Sequence, residues 1–255
     1  MTGPYTERDV SGRTSPWTDD RLREELIRRY SAPGASRGRR LRAIGKRSAW
    51  GFVTGFARAI KRLLDVAGAI FLMIVLAPFL VLVAILIVVG DPGPVFFRQQ
   101  RVGRLGRLFG MWKFRSMYVD AEARKAALQA QNEMAGGVTF KMKDDPRVTK
   151  VGRFIRRASI DELPQLWNVL VGDMSLVGPR PPVPKEVAEY TLADRRRLEV
   201  TPGITCIWQV SGRSSIPFPQ QVELDVAYIE SQSFWLDVLL LLRTIPAVLF
   251  GKGAY

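Results

Sequence analysis

The stretch Ser159-Ile160-Asp161-Glu162-Leu163-Pro164-Gln165-Leu166-Trp167-Asn168 sets two adjacent carboxylates just after Arg153, Arg156 and Arg157 and just before an apolar run. The ordinary reading of Ser159 and Glu162 is an S-x-x-E capping box, in which the two side chains satisfy the first free amides of a helix. Pro164 argues against that frame, because a fifth helical residue should donate an amide hydrogen and proline has none. With Asp161 as the cap, Pro164 falls in the first turn, where it is tolerated. In either frame both carboxylates stand at a helix N-terminus beside guanidinium groups. That setting favours the ionised form, and an ionised carboxylate can serve as nucleophile or metal ligand.

The rest of the 255-residue chain narrows the chemistry. Its 38 Lys and Arg outnumber 24 Asp and Glu, a net charge of +14, which points to an anionic partner such as nucleic acid, a phosphorylated substrate or acidic lipid. There is no histidine, which excludes a histidine base, a Ser-His-Asp triad and every His-containing metal site. The single Cys206 excludes an intrachain disulfide and any Cys-rich zinc or iron–sulfur centre. Carboxylates, Lys, Arg and hydroxyls remain, a set that suits Mg²⁺-assisted work on phosphates.

Residues 1–48 are polar and rich in Arg, Ser, Gly and Pro, with a helical pattern only over Asp19–Tyr30. They read as a disordered basic cytoplasmic tail rather than a signal peptide, because the apolar run starts late and lacks a small-residue cleavage site. Val66–Val89 carries no charged residue, and its length exceeds the ~20 residues needed to cross a bilayer. Pro78 lies at its centre, where it can kink the helix. Both flanks are basic: Arg58, Lys61 and Arg62 precede the run, and Arg98, Arg101, Arg104, Arg107, Lys113 and Arg115 follow it. Positive charge favours the cytoplasmic side, so a kinked helix that dips in and returns is expected.

Beyond the anchor, Pro94–Val102 and Arg107–Met117 read as the strands of a β-hairpin turned at Gly103 and Gly106. Period-2 alternation puts Leu108, Trp112 and Phe114 on one face of the return strand and Lys113 and Arg115 on the other. Ala121–Gln131 reads as a surface helix, and Gly136–Val151 as a loop. Gly172–Pro182 reads as a rigid loop on which Arg180 is held extended between Pro179 and Pro181, a presentation suited to bidentate phosphate binding. Thr201–Arg213 alternates apolar residues between turn signals and delivers Arg213 after Gly212. Pro219–Ser231 looks helical, with Asp225 and Tyr228 one turn apart. Phe234–Phe250, interrupted by Asp237, Arg243 and Pro246, fits an interfacial helix better than a span.

These stretches together resemble the bacterial sugar transferase family, the monotopic polyprenyl-phosphate phosphoglycosyl transferases. The matching segments are KRLLD (61–65), GPVFFRQQRVG (93–103), KFRSM (113–117), DPRVTKVGRFIRR (145–157), SIDELPQLWNVLVGDMSLVGPRP (159–181), PGITCIWQVSGR (202–213) and LDVAYIE (224–230). Seven segments in family order cover about Lys61 to Tyr255. The resemblance implies a two-step covalent reaction. An aspartate attacks the β-phosphate of a UDP-sugar and releases UMP, and undecaprenyl phosphate then takes the phosphosugar. By position, Asp161 would be the nucleophile and Glu162 its partner, both at a Mg²⁺ (or Mn²⁺) site. Lys113, Arg115, Arg156, Arg180 with Pro181, and Arg213 would bind the substrate, and Asp225 would support the substrate or the architecture. Ile160 stands where the family pattern has Leu, and Cys206 and Trp208 replace smaller residues near a loop that could shape the sugar pocket.

The expected fold class is α+β: a membrane-anchored monotopic protein with one kinked re-entrant N-terminal helix, a small β-hairpin, and a mainly helical catalytic domain with interfacial amphipathic helices. The expected division is a tail (1–48), an anchor (49–92) and a catalytic domain (93–255) on the cytoplasmic face of a bacterial inner membrane. Expected partners are a UDP-sugar, undecaprenyl phosphate and membrane lipid. Three rival functions are weighed against this. A nucleic-acid-binding module would need aromatics interleaved with the cations on one face, and Trp112 and Phe114 point away from Lys113 and Arg115. A membrane scaffold would tolerate Asn at position 161. A UDP-sugar hydrolase would differ only in taking water as acceptor.

Overall fold

The computed structural model describes residues 33–128 and 145–250. The helix expected over Asp19–Tyr30, most of the 1–48 tail and part of the 136–151 loop lie outside the described residues. By its internal contacts the chain divides into two units, Met1–Ala59 and Ile60–Tyr255. Helix α1 (Pro33–Gly90) contributes to both, and only its course from Ile60 onward is considered with the second unit.

From Ile60 to Gly90, α1 continues through Pro78. Its buried positions, Asp65, Ala69, Val83 and Ile87, recur at helical spacing and form one stripe. Ala69, with Leu72 and Met73, packs into the main core, while Val83 and Ile87 pack into a second cluster. Polar groups fasten the start of the stripe. Lys61 Nζ donates to the carbonyl of Val177 at 3.2 Å and to Asp237 at 2.6 Å. The Arg62 guanidinium donates to the carbonyls of Val169 and Leu170, and Asp65 accepts from the amide of Leu176 at 3.1 Å. The opposite side of α1 leaves Phe71, Ile74, Val75, Leu82, Ile85 and Val89 exposed.

The expected hairpin forms, with β1 (Phe96–Val102) antiparallel to β2 (Leu108–Phe114) and Phe97 opposite Lys113. A single 3₁₀ turn, Arg104–Gly106, joins the strands. The alternation is as expected, but the cation face is not the solvated one. Phe109 and Met111, which share it with Lys113 and Arg115, lie in the main core. Charge at the end of such a face must find partners, because a buried cation without one is costly.

Helix α2 (Ala121–Leu128) follows, and α3 (Lys150–Arg157) occupies part of the segment expected as loop. Thr149 caps α3, its hydroxyl accepting the amide of Gly152 at 2.8 Å. Then come a 3₁₀ turn (Ile160–Glu162) and α4 (Gln165–Val171), closed by Gly172 in the left-handed conformation at φ 93°.

The segment expected as a rigid loop contains a strand, β3 (Ser175–Val177), which pairs in parallel with β4 (Gly203–Thr205). The two backbones approach so closely that a Cβ on Gly203 would lie 2.0 Å from the nitrogen of Gly178. Between them sit α5 (Pro184–Ala188) and a 3₁₀ turn (Asp194–Leu198). After β4 come α6 (Ile207–Ser211), a turn at Arg213–Ser215, α7 (Phe218–Ser231) and α8 (Phe234–Phe250). The α+β class therefore holds, with one helix among the described residues long and apolar enough to reach across a bilayer by length and composition.

Candidate active site

Two adjacent carboxylates define the site, and the local backbone explains why neither is spent on capping a helix. Ser159 adopts a left-handed conformation (φ 53°) and makes no capping hydrogen bond through its side chain. Its carbonyl accepts the amide of Glu162 at 3.2 Å, while the Glu162 carboxylate turns away. The capping box is therefore absent, and α4 begins only at Gln165, beyond Pro164. A non-glycine residue held at positive φ costs on the order of 1 kcal/mol and tends to occur where a site imposes it. Arg213 is held in the same way, at φ 53°.

Asn168, the last residue of the quoted stretch, fixes this turn against the hairpin. Its Oδ1 accepts the amide of Trp112 at 2.9 Å, and its Nδ2 donates to the carbonyl of Gly110 at 2.9 Å. The amide thus pairs with β2 much as another strand would and draws α4 onto it. The next inward-facing residue is Lys113, which reaches Glu162 at 2.9 Å and stands 3.9 Å from Asp161. From the other side Arg180 Nη2 donates to the same Glu162 oxygen at 2.8 Å. Arg101 braces the loop that carries Arg180 by donating to the carbonyl of Pro181 at 2.9 Å. Burial and the nearby Arg180 bring the Arg101 guanidinium down to about 10.

A cavity of about 370 Å³ opens over these groups, and Lys113, Arg156, Asp161, Glu162, Arg180 and Arg213 all line it. Residues separated by up to a hundred positions in the chain meet there, around two carboxylates. Arg213 donates one Nη2 bond to the carbonyl of Ala247 in α8, and among the described residues its buried Nη1 has no partner.

Three expected site residues stand elsewhere. Arg115 is buried and pairs with Asp91, whose carbonyl its guanidinium also meets, so it ties the end of α1 to the hairpin. Pro181 is fully buried and acts on the site only through the carbonyl that Arg101 holds. Asp225 lies within the fold, bonded to Arg197 Nε and Nη2 at 2.7 Å each, and Arg197 in turn donates to the Tyr190 hydroxyl. Trp208 stands close enough to Asp225 to favour its charge, yet Trp208 Nε1 and Asp225 Oδ1 complete no hydrogen bond. Asn168 and Arg101 shape the site but were not anticipated. Asn168 at a buried helical position was the signal that could have found the first.

The two carboxyls titrate apart. Burial alone would raise Glu162, but Arg180 and Lys113 more than offset it and hold the carboxyl far below its ordinary range. Burial raises Asp161, with the Glu162 charge adding to it, and Lys113, Arg156 and Arg180 offset only part of the rise. The cation cluster is expected to favour the ionised form of the carboxylates beside it. Its benefit goes to Glu162, which intercepts Lys113 and Arg180.

Among the described residues no three carboxylate, Cys or His side chains gather into a metal cage. The donor set still fits Mg²⁺ in its usual manner, one or two carboxylates completed by substrate phosphates and water. Among the described residues Asp161 accepts no hydrogen bond, and the 3.9 Å approach of Lys113 leaves its oxygens able to take a cation.

Such a site, a carboxylate pair inside a ring of cations on a helix-rich domain with a long apolar helix, suits phosphate chemistry. Residues 56–251 match the family model described as bacterial sugar transferase, and the chain belongs to that family. It is 51% identical over 198 residues to the galactosyl transferase CpsE of Streptococcus agalactiae, covering 76% of this chain and 43% of that protein. It is 42% identical to the undecaprenyl-phosphate galactose phosphotransferase of Salmonella typhimurium, covering 78% of this chain and 42% of that protein. To the exopolysaccharide production protein ExoY of Sinorhizobium fredii it is 39% identical, covering 79% of this chain and 92% of that one. The chain thus spans less than half the length of the first two relatives.

Proposed function

We propose that this protein transfers a sugar 1-phosphate from a UDP-sugar to undecaprenyl phosphate through an aspartyl phosphosugar intermediate. The observation that carries this reading is Asp161, which accepts no hydrogen bond among the described residues, beside Glu162 clamped by Lys113 and Arg180. In the first step an Asp161 oxygen bonds to the β-phosphorus, the bond from that phosphorus to UMP breaks, and UMP leaves with the electron pair. In the second step an oxygen of undecaprenyl phosphate attacks the same phosphorus, and Asp161 departs as carboxylate. Phosphoryl transfer needs positioning and charge stabilisation more than covalent assistance. Lys113, Arg156, Arg180 and Arg213 supply that charge, and Glu162 holds two of these cations in place. Bound Mg²⁺ (or Mn²⁺), held by Asp161 and Glu162 with the diphosphate, would neutralise charge on the leaving group.

Membrane attachment agrees with this chemistry. The Lys61 end of the apolar run is bonded to Val177 and Asp237, and the Ile87–Asp91 end packs on Phe114 and Arg115. A helix of that length spanning a ~30 Å hydrocarbon layer would set its ends on opposite faces. Attachment of both ends to one domain supports a monotopic anchor that enters and leaves the bilayer on the side of the catalytic domain. Since UDP-sugars are cytoplasmic, that side is the inner face of the cytoplasmic membrane, and nucleic acid has no role.

The deciding experiment incubates detergent-solubilised protein with a panel of UDP-sugars, with and without undecaprenyl phosphate, and follows UMP. Sustained release that requires the lipid is expected. Sustained release without lipid would mean a hydrolase, and none with any donor would refute the reading.

A further inference from the structure

Besides its charged groups the cavity wall carries neutral ones on and around α6: Thr205, Trp208, Gln209, Thr244 and the apolar Val210 and Val248, with Arg213 close by at Ala247. Most polar hydrogens of these neutral groups are already committed within the protein. Thr244 donates its hydroxyl hydrogen to the carbonyl of Leu240 at 2.7 Å. The 2.7 Å contact between Thr205 and Thr244 must therefore take the hydrogen of Thr205. Trp208 Nε1 is buried and lies toward Asp225.

Gln209 differs. Its Oε1 lies 3.0 Å from the sulfur of Cys206, a residue with no exposed surface. Burial pushes the Cys206 thiol up from its ordinary range, so it stays S–H and donates. An amide oxygen that accepts from a fixed thiol leaves the amide nitrogen pointing the other way. Among the described residues Nε2 has no partner, and Gln209 is half-buried on the cavity wall.

We propose that Gln209 is a substrate-binding residue whose Nε2 donates to a neutral oxygen of the UDP-sugar, either a sugar hydroxyl or a carbonyl of the base, and that Cys206 is the positioning residue that aims it. This inference rests on the transferase reading above. A UDP-sugar carries its charge in the diphosphate and is neutral at both ends. With the diphosphate paired to the cations of the wall, a neutral end remains for the unpaired Gln209 donor. A site with an oriented donor discriminates against donors that cannot accept its hydrogen bond, because the donor is then left unpaired.

The test compares wild type with Gln209→Ala, Gln209→Glu, Cys206→Ala and Cys206→Ser. UMP release is measured from UDP-galactose and UDP-glucose, along with product inhibition by UMP and thermal melting. Gln209→Ala is expected to raise KM for the preferred donor roughly 3- to 10-fold, the scale of one neutral hydrogen bond, with a smaller change in kcat. Gln209→Glu, which keeps the volume and turns the donor into an acceptor, should do at least as much. Cys206→Ala should give part of that loss, and Cys206→Ser, which retains a donor, should recover it. If the partner is the sugar, KM for the donor rises and UMP inhibition does not change; if it is the base, both donors and UMP weaken by the same factor. All four variants within twofold of wild type in every KM and in UMP inhibition, with unchanged melting, would overturn the proposal. Wild type releasing no UMP from any UDP-sugar of the panel would instead remove the transferase reading on which it stands.

Discussion

Arg180 Nη2 and Lys113 Nζ converge on one oxygen of Glu162, at 2.8 and 2.9 Å, and among the described residues leave neighbouring Asp161 with no cation nearer than 3.9 Å. Adjacent residues thus receive opposite environments. Glu162 is an ionised strut that holds two cations in place, and Asp161 is a carboxyl that accepts no hydrogen bond among the described residues and faces a cavity. Pairs of acids whose surroundings drive their titrations apart divide their roles in this way. The assignment of nucleophile to Asp161 and support to Glu162 yields separable expectations.

Asp161→Asn keeps the volume and removes the attacking oxyanion. UMP release should fall by about four orders of magnitude or more, the scale of losing a nucleophile. Wild type incubated with a UDP-sugar and no lipid should gain the mass of one phosphosugar on the Asp161 peptide, and the variant should not. Near-native turnover by Asp161→Asn would end the covalent assignment.

The raised Asp161 carboxyl carries a sign that pH profiles can read. Its protonated form is favoured by burial, so the reactive carboxylate accumulates only as pH climbs past the ordinary aspartate range. The acid limb of kcat/KM should therefore lie above that range. Glu162→Gln removes the adjacent negative charge and frees Lys113 and Arg180 to act on Asp161. Both changes lower the Asp161 carboxyl, so the limb of the residual activity should move to lower pH. A limb that stays put or moves upward would contradict the division of roles.

Chelation tests the metal without mutation. Hard oxygen ligands select Mg²⁺ or Mn²⁺, and zinc has no Cys or His donors to hold it in this pocket. Excess EDTA should abolish UMP release and added Mg²⁺ should restore it. Because the donor set is completed by the diphosphate, metal affinity measured calorimetrically should rise when a UDP-sugar is present. Full turnover in excess chelator would remove the metal from the reaction.

What could be read directly from the residues was whatever local pattern encodes. Alternation from Phe96 to Phe114 is long enough to define a hairpin, and the apolar periodicity of Phe218–Ser231 defines α7. The pairing of β3 with β4 could not be read, since each strand has three residues and the partners are about 28 positions apart. α3 has only eight residues, too short a stretch for its helical pattern to stand out beside the turn signals that precede it. Side-chain alternation correctly put Lys113 and Arg115 together, but which face is buried is decided by what packs there, namely Phe109 and Met111 in the core. Cations bonded to backbone carbonyls, such as Arg62 and Arg101, leave no pattern in the sequence, because every residue supplies a carbonyl.

Asp225 was assigned by resemblance to substrate or architecture, and its geometry separates the two. It is fully buried, outside the cavity wall, and joined to Arg197. Asp225→Asn would strand that guanidinium, a loss on the order of 3–5 kcal/mol. The melting temperature should drop, while protein that remains folded keeps most of its kcat. Burial raises Asp225 to about 6 despite Arg197, so folded protein holds this proton more tightly than the unfolded chain. Its contribution to stability is therefore lost as pH rises from the ordinary carboxylate range to about 6, and the Asn variant should lack that slope. Unchanged melting with abolished turnover would place Asp225 in the reaction instead.

The anchor provides the last prediction. The basic residues on both flanks of the apolar run suggested its topology, but Lys61, Arg62, Arg101, Lys113 and Arg115 are all bound to groups of their own domain. Their number therefore reflects folding as much as membrane sidedness, and the positive-inside argument weakens accordingly. The stronger argument is the attachment of both ends of the run to one domain, at Lys61–Asp237 and at Asp91–Arg115. Single cysteines at Ser36 and Arg107, in a Cys206→Ser background, can be probed with a thiol reagent that does not cross the inner membrane. Arg107 is preferable to Gly106, whose positive φ a cysteine would strain. Both sites should stay unlabelled in intact cells and react once the cells are opened. Lys61→Met with Asp237→Leu removes the latch and leaves no charge unpaired, and it should make the anchor more accessible to protease than in wild type. Labelling at position 36 alone in intact cells would show a helix that crosses the bilayer, and the attachments of Lys61 and Asp237 would then need another explanation.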